Sequence, residues 1–235
     1  MEQILAIIPA RAGSKRLEKK NIKLLCGKPL IAYTIESALA SHYLNRIVIS
    51  TEDEEIARIS RSFGAEVIMR PLALAQDDST TEDVIVNVLD QLKNKENYIP
   101  EILVLLQPTS PLRTTEDINN AIKIFIGTHG DSLVSITKFD HPPHWAFQIE
   151  NGMLKSAFSK KSLKRSQDLP SLYRPNGALF ITRTDSFIKN RSFYTKQTIP
   201  FILPRKRSID IDDEFDFLVT EFLLNKLGEK KVGIN

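Results

Sequence analysis

The sequence predicts an α/β fold, a Rossmann-like, mostly parallel sheet with helices on both faces. Over the first 137 residues, short apolar runs alternate with stretches whose apolar residues recur at helical spacing. This is the pattern of parallel strands joined by crossover helices. The runs are continuously apolar, as expected of strands that are buried on both faces. A length of 235 residues suits a single domain over residues 1–235.

The individual elements follow from local patterns. Residues 4–8 form an apolar run bounded by Pro9, which predicts the first strand. Pro29 suits the first position of a helix, Thr80 or Thr81 suits a helix N-cap, and Gly64 suits a position just past a helix end. Further strands are predicted over residues 46–51, 66–69, 102–107 and 132–137, and helices over 30–39, 52–63, 82–93 and from about 115.

Residues 138–173 differ in composition and in apolar pattern from the rest of the chain. A pair of prolines interrupts regular structure, and residues 147–152, which end in Asn-Gly, predict a hairpin. The stretch 155–165 carries five basic residues and no acidic one. The segment is too small to hold its own core, so we interpret it as an insertion. Regular structure resumes at 176–181, and a strand-to-helix unit over 209–227 closes the chain.

Composition excludes several classes of protein. The net charge of +3, from 32 basic and 29 acidic residues, is too small to make nucleic acid the main expected partner. A lone cysteine, Cys26, excludes an internal disulfide and makes a thiolate zinc cluster improbable. No apolar run approaches the ~20 residues that span a bilayer, and Arg11 interrupts the only apolar run near the start, so no signal peptide is expected. We therefore expect a cytoplasmic protein without a membrane partner.

The loop after the first strand combines cations with small residues. Ligands of open α/β sheets bind beyond the carboxyl ends of the strands, and small residues allow close approach to the backbone. This loop is therefore a predicted phosphate site, with a solvated basic loop as the alternative. No G-x-G-x-x-G or G-x-x-x-x-G-K-[ST] motif is present. The cations are Arg11, Lys15, Arg16, Lys19, Lys20 and Lys23, and the small residues are Ala10, Ala12, Gly13 and Ser14.

Two aspartates alternate with isoleucines late in the chain. In a strand, Asp210 and Asp212 would project from one face, about 6.5–7 Å apart. Such a pair can hold Mg²⁺ against substrate phosphates. The alternative is that the acids only precede a helix, where negative charge complements the macrodipole. That alternative suits Asp213 and Glu214 better than Asp210 and Asp212.

The exit of the fourth strand also carries polar groups. Gln107 can pair with a base edge or a sugar hydroxyl through its amide. A proline-shaped turn is the alternative interpretation of the residues that follow it.

Jointly, these motifs resemble the acylneuraminate cytidylyltransferase (CMP-sialic acid synthetase) family almost from end to end. The resemblance rests on Pro9-Ala10-Arg11, Gly13-Ser14-Lys15, Lys20-Asn21, Arg70-Pro71, Gln107-Pro108-Thr109-Ser110-Pro111-Leu112-Arg113, Arg174-Pro175-Asn176-Gly177-Ala178 and Asp210-Ile211-Asp212. It implies a fold of the nucleotide-diphospho-sugar transferase type.

The resemblance also implies roles for individual residues. Lys20, Asp210 and Asp212 would be catalytic, and the two aspartates would hold Mg²⁺. The nucleotide-binding residues would be Arg11, Ala12, Gly13, Ser14, Lys15, Asn21, Arg70 and Thr81. The sugar-binding residues would be Gln107, Arg165, Gln167, Tyr173 and Asn176. The Arg-Gln-x-x-Pro segment of the family is altered here, because Ser166 separates Arg165 from Gln167.

The implied reaction is transfer of CMP from CTP to the anomeric hydroxyl of a nine-carbon 2-keto sugar acid, with release of pyrophosphate. The acceptor would be N-acetylneuraminate or a close relative, with legionaminic acid or another nonulosonic acid as the alternative. The resemblance also implies a homodimer in which residues 138–173 reach the partner. A basic nucleic-acid-binding module is the alternative from a different class, supported by the 155–165 cluster and opposed by the absence of a recognised binding motif.

Overall fold

The computed structural model describes residues 2–158 and 164–232, with side chains up to residue 226. The strands are β1 (Ile4–Pro9), β2 (Leu24–Leu25), β3 (Lys28–Pro29), β4 (Arg46–Thr51), β5 (Glu66–Met69), β6 (Ile102–Leu105), β7 (Ser132–Lys138), β8 (Phe147–Glu150), β9 (Met153–Ser156), β10 (Tyr173–Arg183) and β11 (Thr198–Ile202). The helices are α1 (Leu30–Leu39), α2 (Glu54–Ser62), α3 (Thr81–Glu96), α4 (Thr115–Ile126), α5 (Thr184–Asn190) and α6 (Glu214–Val232).

The central sheet has seven strands in the order β11-β7-β10-β6-β1-β4-β5. Strand β10 runs antiparallel to both of its neighbours, and the other pairings are parallel. The predicted mostly parallel sheet is therefore confirmed. Because β10 runs backwards, its first residues lie at the edge of the sheet where the parallel strands end.

Helices cover both faces of the sheet, as predicted. Alternate residues of β1 belong to different cores: Ala6 and Ile8 pack with residues of α1, α2 and α4, whereas Leu5 and Ile7 pack with residues of α3 and α5. This explains why the strands are apolar throughout, since each face of the sheet is buried. In the described part of the chain, no helix is both long and apolar enough to cross a bilayer.

Local signals in the sequence explain most of the helix boundaries. Thr80 caps α3 by accepting a hydrogen bond from the Asp83 amide, and Gly64 follows α2 with a φ of +84°. Thr114 and Asp117 form a reciprocal capping box at α4. Pro29 is the N-cap of α1, one position earlier than predicted.

The predicted hairpin is present as β8 and β9. Asn151 and Gly152 both have positive φ, 51° and 76°, as a tight hairpin turn with two left-handed residues requires. Residues 159–163 of the predicted basic stretch lie outside the described residues.

Two parts of the sequence interpretation need correction. Helix α5 and strand β11 were not predicted, and the strand predicted at the start of 209–227 is wrong. Residues 208–213 form no strand. The central sheet is instead completed at one edge by β11, which pairs with β7. Alternating Ile and Asp imitate a strand pattern, but Ile211 is buried in a small core with Leu17 and Phe217, whereas Ile209 lines a surface cleft.

Candidate functional site

A cleft of about 410 Å³ opens at the edge of the sheet where β1, β4, β5 and β6 end. We call it the main cleft. Many of the predicted site residues line it together: Arg11, Lys20, Asn21, Arg70, Thr81, Gln107, Asp210 and Asp212. Residues from both ends of the chain therefore meet in one place, as the sequence interpretation required.

Lys20 and Asp212 form the meeting point of the two ends. The Lys20 Nζ donates a 2.8 Å hydrogen bond to the Ile211 carbonyl and lies 3.5 Å from Asp212 Oδ1. Arg16 pairs with the other oxygen of Asp212 at 3.2 Å. Packing of Leu17 against Ile211 explains this arrangement, because it fixes the cationic loop beside the acidic segment.

Asp210 occupies a different environment from Asp212. Burial raises the pKa of the Asp210 carboxyl above its usual value, and a hydrogen bond with Thr109 opposes that shift. The Ile211 amide donates a 2.8 Å hydrogen bond to the Thr109 carbonyl, which fixes the backbone between the two aspartates. Asp210 is thus held by the loop after β6, whereas Asp212 faces the cations of the loop after β1.

Gly177 lies where Asp210 and Gln107 converge. Its φ is +73°, and a Cβ atom added there would lie 2.8 Å from Asp210 Oδ2 and 2.8 Å from Gln107 Oε1. The register of β10 shifts around this glycine, between Pro175 and Phe180. Glycine therefore permits both the backbone conformation and the close approach of two polar side chains.

Gln107 is held in place by a buried arginine that sequence analysis did not identify as important for the site. Arg113 donates to the Gln107 carbonyl at 3.2 Å, to the Ala178 carbonyl at 2.5 Å and to Thr34 Oγ1 at 2.7 Å. Burial lowers the pKa of Arg113 to about 9, so the guanidinium remains charged at neutral pH. It ties the exit of β6 to β10 and α1.

A carboxylate forms ion pairs with two cations of the predicted phosphate loop. Asp77 pairs with Arg11 at 3.1 Å and also with Lys15, and these two cations hold the pKa of Asp77 below its usual value. The Asn21 amide donates to the Arg11 carbonyl at 2.8 Å. Asp77 was not among the predicted residues, because nothing local marks an exposed loop acid 66 residues away as a partner of Arg11.

Glu52 connects the same loop to Arg70 through hydrogen bonds. Its Oε1 accepts from the Ala12 amide at 2.7 Å, while Oε2 accepts from Arg70 Nη2 at 2.7 Å and from Nε at 3.0 Å. The Arg70 and Glu52 side chains are only 3% and 7% exposed. Arg70 therefore lines the main cleft as half of a buried ion pair. The position of Glu52 directly after β4 was the signal that could have identified it.

The remaining residues of the loop leave space for a ligand. A Cβ atom on Gly13 would meet nothing within 4 Å, and the Ser14 amide is engaged by the Ala12 carbonyl at 2.9 Å. Thr81 opens α3 at the rim of the cleft, next to the capping residue Thr80.

Four of the predicted sugar-binding residues are distributed over three environments. Gln107 lines the main cleft, but Arg165 and Gln167 line a separate depression beside Trp145 and Phe147. Tyr173 is exposed at the start of β10. In this chain alone, Arg165, Gln167 and Tyr173 therefore do not join the main cleft.

Asn176, the fifth predicted sugar-binding residue, points into the protein, and its contact with a sugar stays a prediction. It is 1% exposed. Its Oδ1 accepts from Ser135 Oγ at 2.6 Å and from the Ala178 amide at 3.2 Å, and its Nδ2 donates to Ser208 Oγ at 2.9 Å. Asn176 shapes the irregularity in β10 that presents Gly177.

The chemistry of the acidic pair fits Mg²⁺. Within residues 2–158 and 164–232, no cluster of three or more His, Cys, Asp or Glu side chains could enclose a metal. Two carboxylates are nevertheless the usual protein contribution to Mg²⁺ when a bound nucleotide supplies phosphate oxygens. Asp210 and Asp212 are the residues that would hold the ion.

Comparison with known proteins gives a consistent result. Residues 5–222 match a protein-family model described as Cytidylyltransferase. The chain is 39% identical over 225 residues to a CMP-N,N'-diacetyllegionaminic acid synthase of Legionella pneumophila, covering 94% of this chain and 96% of that protein. It is 32% identical over 233 residues to an N-acylneuraminate cytidylyltransferase of Escherichia coli, covering 99% of this chain but only 54% of that protein.

The fold is shared with more distant proteins of known structure. CMP:2-keto-3-deoxy-manno-octonic acid synthetase, solved with CTP, superposes with a TM-score of 0.72 at 16% identity, covering 96% of this chain and 99% of that chain. At this identity the likeness concerns the fold.

We expect Gly177→Ala to disturb the site more than the fold. A Cβ atom in the left-handed region costs about 1–2 kcal/mol of unfolding free energy, and the added atom would displace Asp210 and Gln107. Activity should fall at least about tenfold. Gly64→Ala is the control, because it carries the same backbone strain but an added Cβ meets only Leu39 at 3.6 Å. Equal loss of activity in both variants, measured beside their denaturation curves, would contradict this reading.

We expect Asp77→Asn to tighten the binding of CTP, the nucleotide expected from the sequence. The substitution releases Arg11 and Lys15 from an exposed carboxylate, so the Kd measured by calorimetry should fall about two- to tenfold. Asp78→Asn removes the same charge one residue further along and should have a smaller effect. Weaker binding by Asp77→Asn would show that Asp77 contributes to the site instead of competing for its cations.

Proposed function

Because the chain belongs to the cytidylyltransferase family, we propose that it transfers CMP from CTP to the anomeric hydroxyl of a nine-carbon 2-keto sugar acid. N-acetylneuraminate or a close relative is the proposed acceptor, and legionaminic acid is the alternative, since the relatives include enzymes named for each sugar. The observation that carries the proposal is the convergence of the cationic loop after β1 with Asp210 and Asp212 in one cleft. The expected compartment is the cytoplasm, where CTP is available.

The proposed reaction is a single displacement at phosphorus. The hydroxyl oxygen of the acid bonds to the α-phosphorus, the bond to the bridging oxygen of the β-phosphate breaks, and pyrophosphate leaves while the hydroxyl loses its proton. Such a step depends mainly on alignment and on neutralising charge. Lys20 is placed to offset negative charge near Asp212, and Arg11 and Lys15 can exchange Asp77 for phosphate oxygens.

Asp210 and Asp212 would hold Mg²⁺ beside the triphosphate. When bound, the ion would neutralise phosphate charge and orient the two reactants. The residues themselves contribute differently: the Thr109 carbonyl and hydroxyl position Asp210, while Asp212 is oriented by Arg16 and Lys20. Displacement of these cations from Asp212 would make them available to the departing phosphates.

We expect Asp210→Ala and Asp212→Ala to remain folded and to lose turnover by about 10²-fold or more, as expected for loss of a metal ligand. The measurement is pyrophosphate release with CTP, Mg²⁺ and a panel of nine-carbon acids, with each of the other nucleoside triphosphates as a comparison. Glu214→Gln is the matched control, because this acid pairs with Lys23 on the surface. Near-normal pyrophosphate release by both aspartate variants would rule out the metal-binding role.

We also propose that the protein is a homodimer and that residues 138–173 form its contact with the partner. A two-stranded hairpin is not stable alone in water, and this one exposes Ile149, Met153 and Leu154 by between 71% and 77%. Helix α6 exposes Phe215, Leu218 and Phe222 at helical spacing, a surface of the same character. The placement of Arg165 and Gln167 outside the main cleft supports the proposal, since a partner's cleft is where they could meet a sugar.

We expect the double variant Ile149→Glu, Leu154→Glu to be monomeric by light scattering, because two charges would be buried without partners. The control, Ile99→Glu, alters an isoleucine that is 59% exposed and lies outside residues 138–173, and it should leave the mass unchanged. A monomeric wild-type protein at micromolar concentration would contradict the proposal.

A further inference from the structure

The acidic segment, residues 208–213, carries Asp210 and Asp212 but belongs to no helix or strand. It follows a short 3₁₀ helix over Arg205–Arg207 and precedes α6. Hydrogen bonds of a regular element therefore do not fix it, and its position depends on individual contacts. After Asp210, the Ile211 amide is bonded to the Thr109 carbonyl at 2.8 Å. The position of Asp210 also depends on what holds the chain before it.

Two contacts hold the chain before Asp210. Ser208 Oγ accepts a neutral 2.9 Å hydrogen bond from Asn176, and Arg207 Nη2 donates a charged one of 2.9 Å to Asp117 Oδ1, near the N-terminus of α4. Hydrogen bonds between charged groups are roughly twice as strong as neutral ones. The Arg207–Asp117 pair is therefore the stronger of the two contacts.

The Arg207–Asp117 pair is better shielded than the other ion pair of this region. The side chains of Arg207 and Asp117 are 32% and 6% exposed, whereas those of Arg16 and Asp212 are 71% and 56% exposed. Exposed pairs are weakened by water and salt, and shielded ones much less so. The pair with Asp117 can thus hold the chain in one position, which the pair between Arg16 and Asp212 cannot.

Asp117 is itself fixed to the body of the protein. Its Oδ2 accepts hydrogen bonds from the Thr114 amide at 3.0 Å and from the Thr114 hydroxyl at 2.9 Å. One oxygen of the carboxylate therefore caps α4 while the other binds Arg207. Helix α4 is in turn fixed by Ile118 and Ile122, which are buried in the core beneath the sheet. The ion pair thus connects the acidic segment to a rigid element.

The same carboxylate also acts on Gln107. Arg113 donates to the Gln107 carbonyl at 3.2 Å. Burial lowers the pKa of Arg113, and the nearby charge of Asp117 partly offsets that shift. Gln107 and Asp210 both line the main cleft, whereas Asp117 and Arg207 do not. Asp117 is therefore placed to influence the cleft without touching a ligand in it.

We infer that Asp117 and Arg207 are positioning residues: their ion pair fixes the acidic segment so that Asp210 and Asp212 can hold Mg²⁺ together. This inference rests on the proposed function, because it takes the two aspartates as metal ligands. Partners that orient metal ligands commonly contribute about 10- to 100-fold to metal affinity. Charge alone predicts the opposite for Arg207, since a positive group three positions from Asp210 repels a cation. The sign of the effect therefore distinguishes positioning from simple electrostatics.

The first measurement is amide hydrogen exchange in a peptide that contains residues 208–213, and it needs no ligand. In Arg207→Gln and Asp117→Asn we expect exchange to be about tenfold faster, as for loss of a hydrogen bond between charged groups. Asp117→Asn keeps an acceptor oxygen for the cap of α4. Arg183→Gln is the matched control, because it breaks an ion pair with Glu2 whose arginine is similarly exposed. It should leave exchange in this peptide unchanged.

The second measurement is the Kd of Mn²⁺, a paramagnetic substitute for Mg²⁺, with a CTP analogue that has a methylene group between the α- and β-phosphates. Free Mn²⁺ is quantified by electron paramagnetic resonance. We expect the Kd to rise about tenfold or more in Arg207→Gln and in Asp117→Asn. Arg207→Lys keeps the charge and should restore part of the affinity. Arg205→Gln removes the same charge from an exposed pair with Asp140 and should not raise the Kd.

The double variant Asp117→Asn, Arg207→Gln tests whether the two residues act as one unit. Each single variant already breaks the ion pair, so the double variant should raise the Kd of Mn²⁺ by no more than about twofold beyond the larger single effect. Effects of the two substitutions that multiply would contradict a shared positioning role.

The outcomes separate this inference from the proposed function. Binding of Mn²⁺ that depends on Arg207 supports the inference even if pyrophosphate release is never observed, which would contradict only the proposed reaction. Unchanged exchange, or an unchanged or lower Kd, in Arg207→Gln overturns the inference, while loss of Mn²⁺ binding in Asp210→Ala would still support the metal role. A wild-type protein that does not bind Mn²⁺ contradicts the metal role and overturns the inference with it.

Discussion

The packing of a small apolar cluster is the interaction on which the candidate site depends. Leu17, Leu25 and Leu30 come from the first 30 residues, and Ile211 and Phe217 come from the end of the chain. Their contact brings the loop after β1 against the start of α6. Without this contact, an exposed ion pair such as Arg16–Asp212 would be too weak to hold the two segments together. Burial of apolar side chains is a non-directional interaction. Here it nevertheless positions charged groups whose hydrogen bonds and ion pairs depend on direction.

Charge neutralisation inside the main cleft follows from that placement. In the protein described here, the cations of the loop are held by carboxylates: Arg11 by Asp77, Arg16 by Asp212 and Arg70 by Glu52. The first two pairs are exposed and weak, so a triphosphate can replace their carboxylates. The third is buried, and breaking it would leave an uncompensated charge. The cleft therefore combines a buried, permanent ion pair between Arg70 and Glu52 with exposed ion pairs at its rim whose carboxylates can be exchanged.

Strand β10 places Gly177 beside Asp210 and Gln107 of the main cleft. It is antiparallel to its neighbours and irregular around Gly177, so its first residues meet the ends of β6 and β7. Gly177 permits the close approach of Gln107 and Asp210, and Arg113 fixes the backbone at Gln107. One irregular strand in this way positions two polar side chains of the main cleft.

The sequence alone determined the sheet, most of its helices and the grouping of the motifs, because apolar periodicity, caps and turn residues act over a few positions. It could not determine β11 or α5, whose short segments lack a strong local pattern. It also predicted a false strand at Asp210, where the alternating pattern accompanies an irregular segment with Ile211 buried and Ile209 at a surface cleft. Only the tertiary structure decided that Asn176 turns inward and that Asp77 and Glu52 hold the cationic loop. These facts depend on contacts between residues far apart in the chain. Such contacts do not produce a periodic pattern in the local sequence, so they cannot be predicted from it.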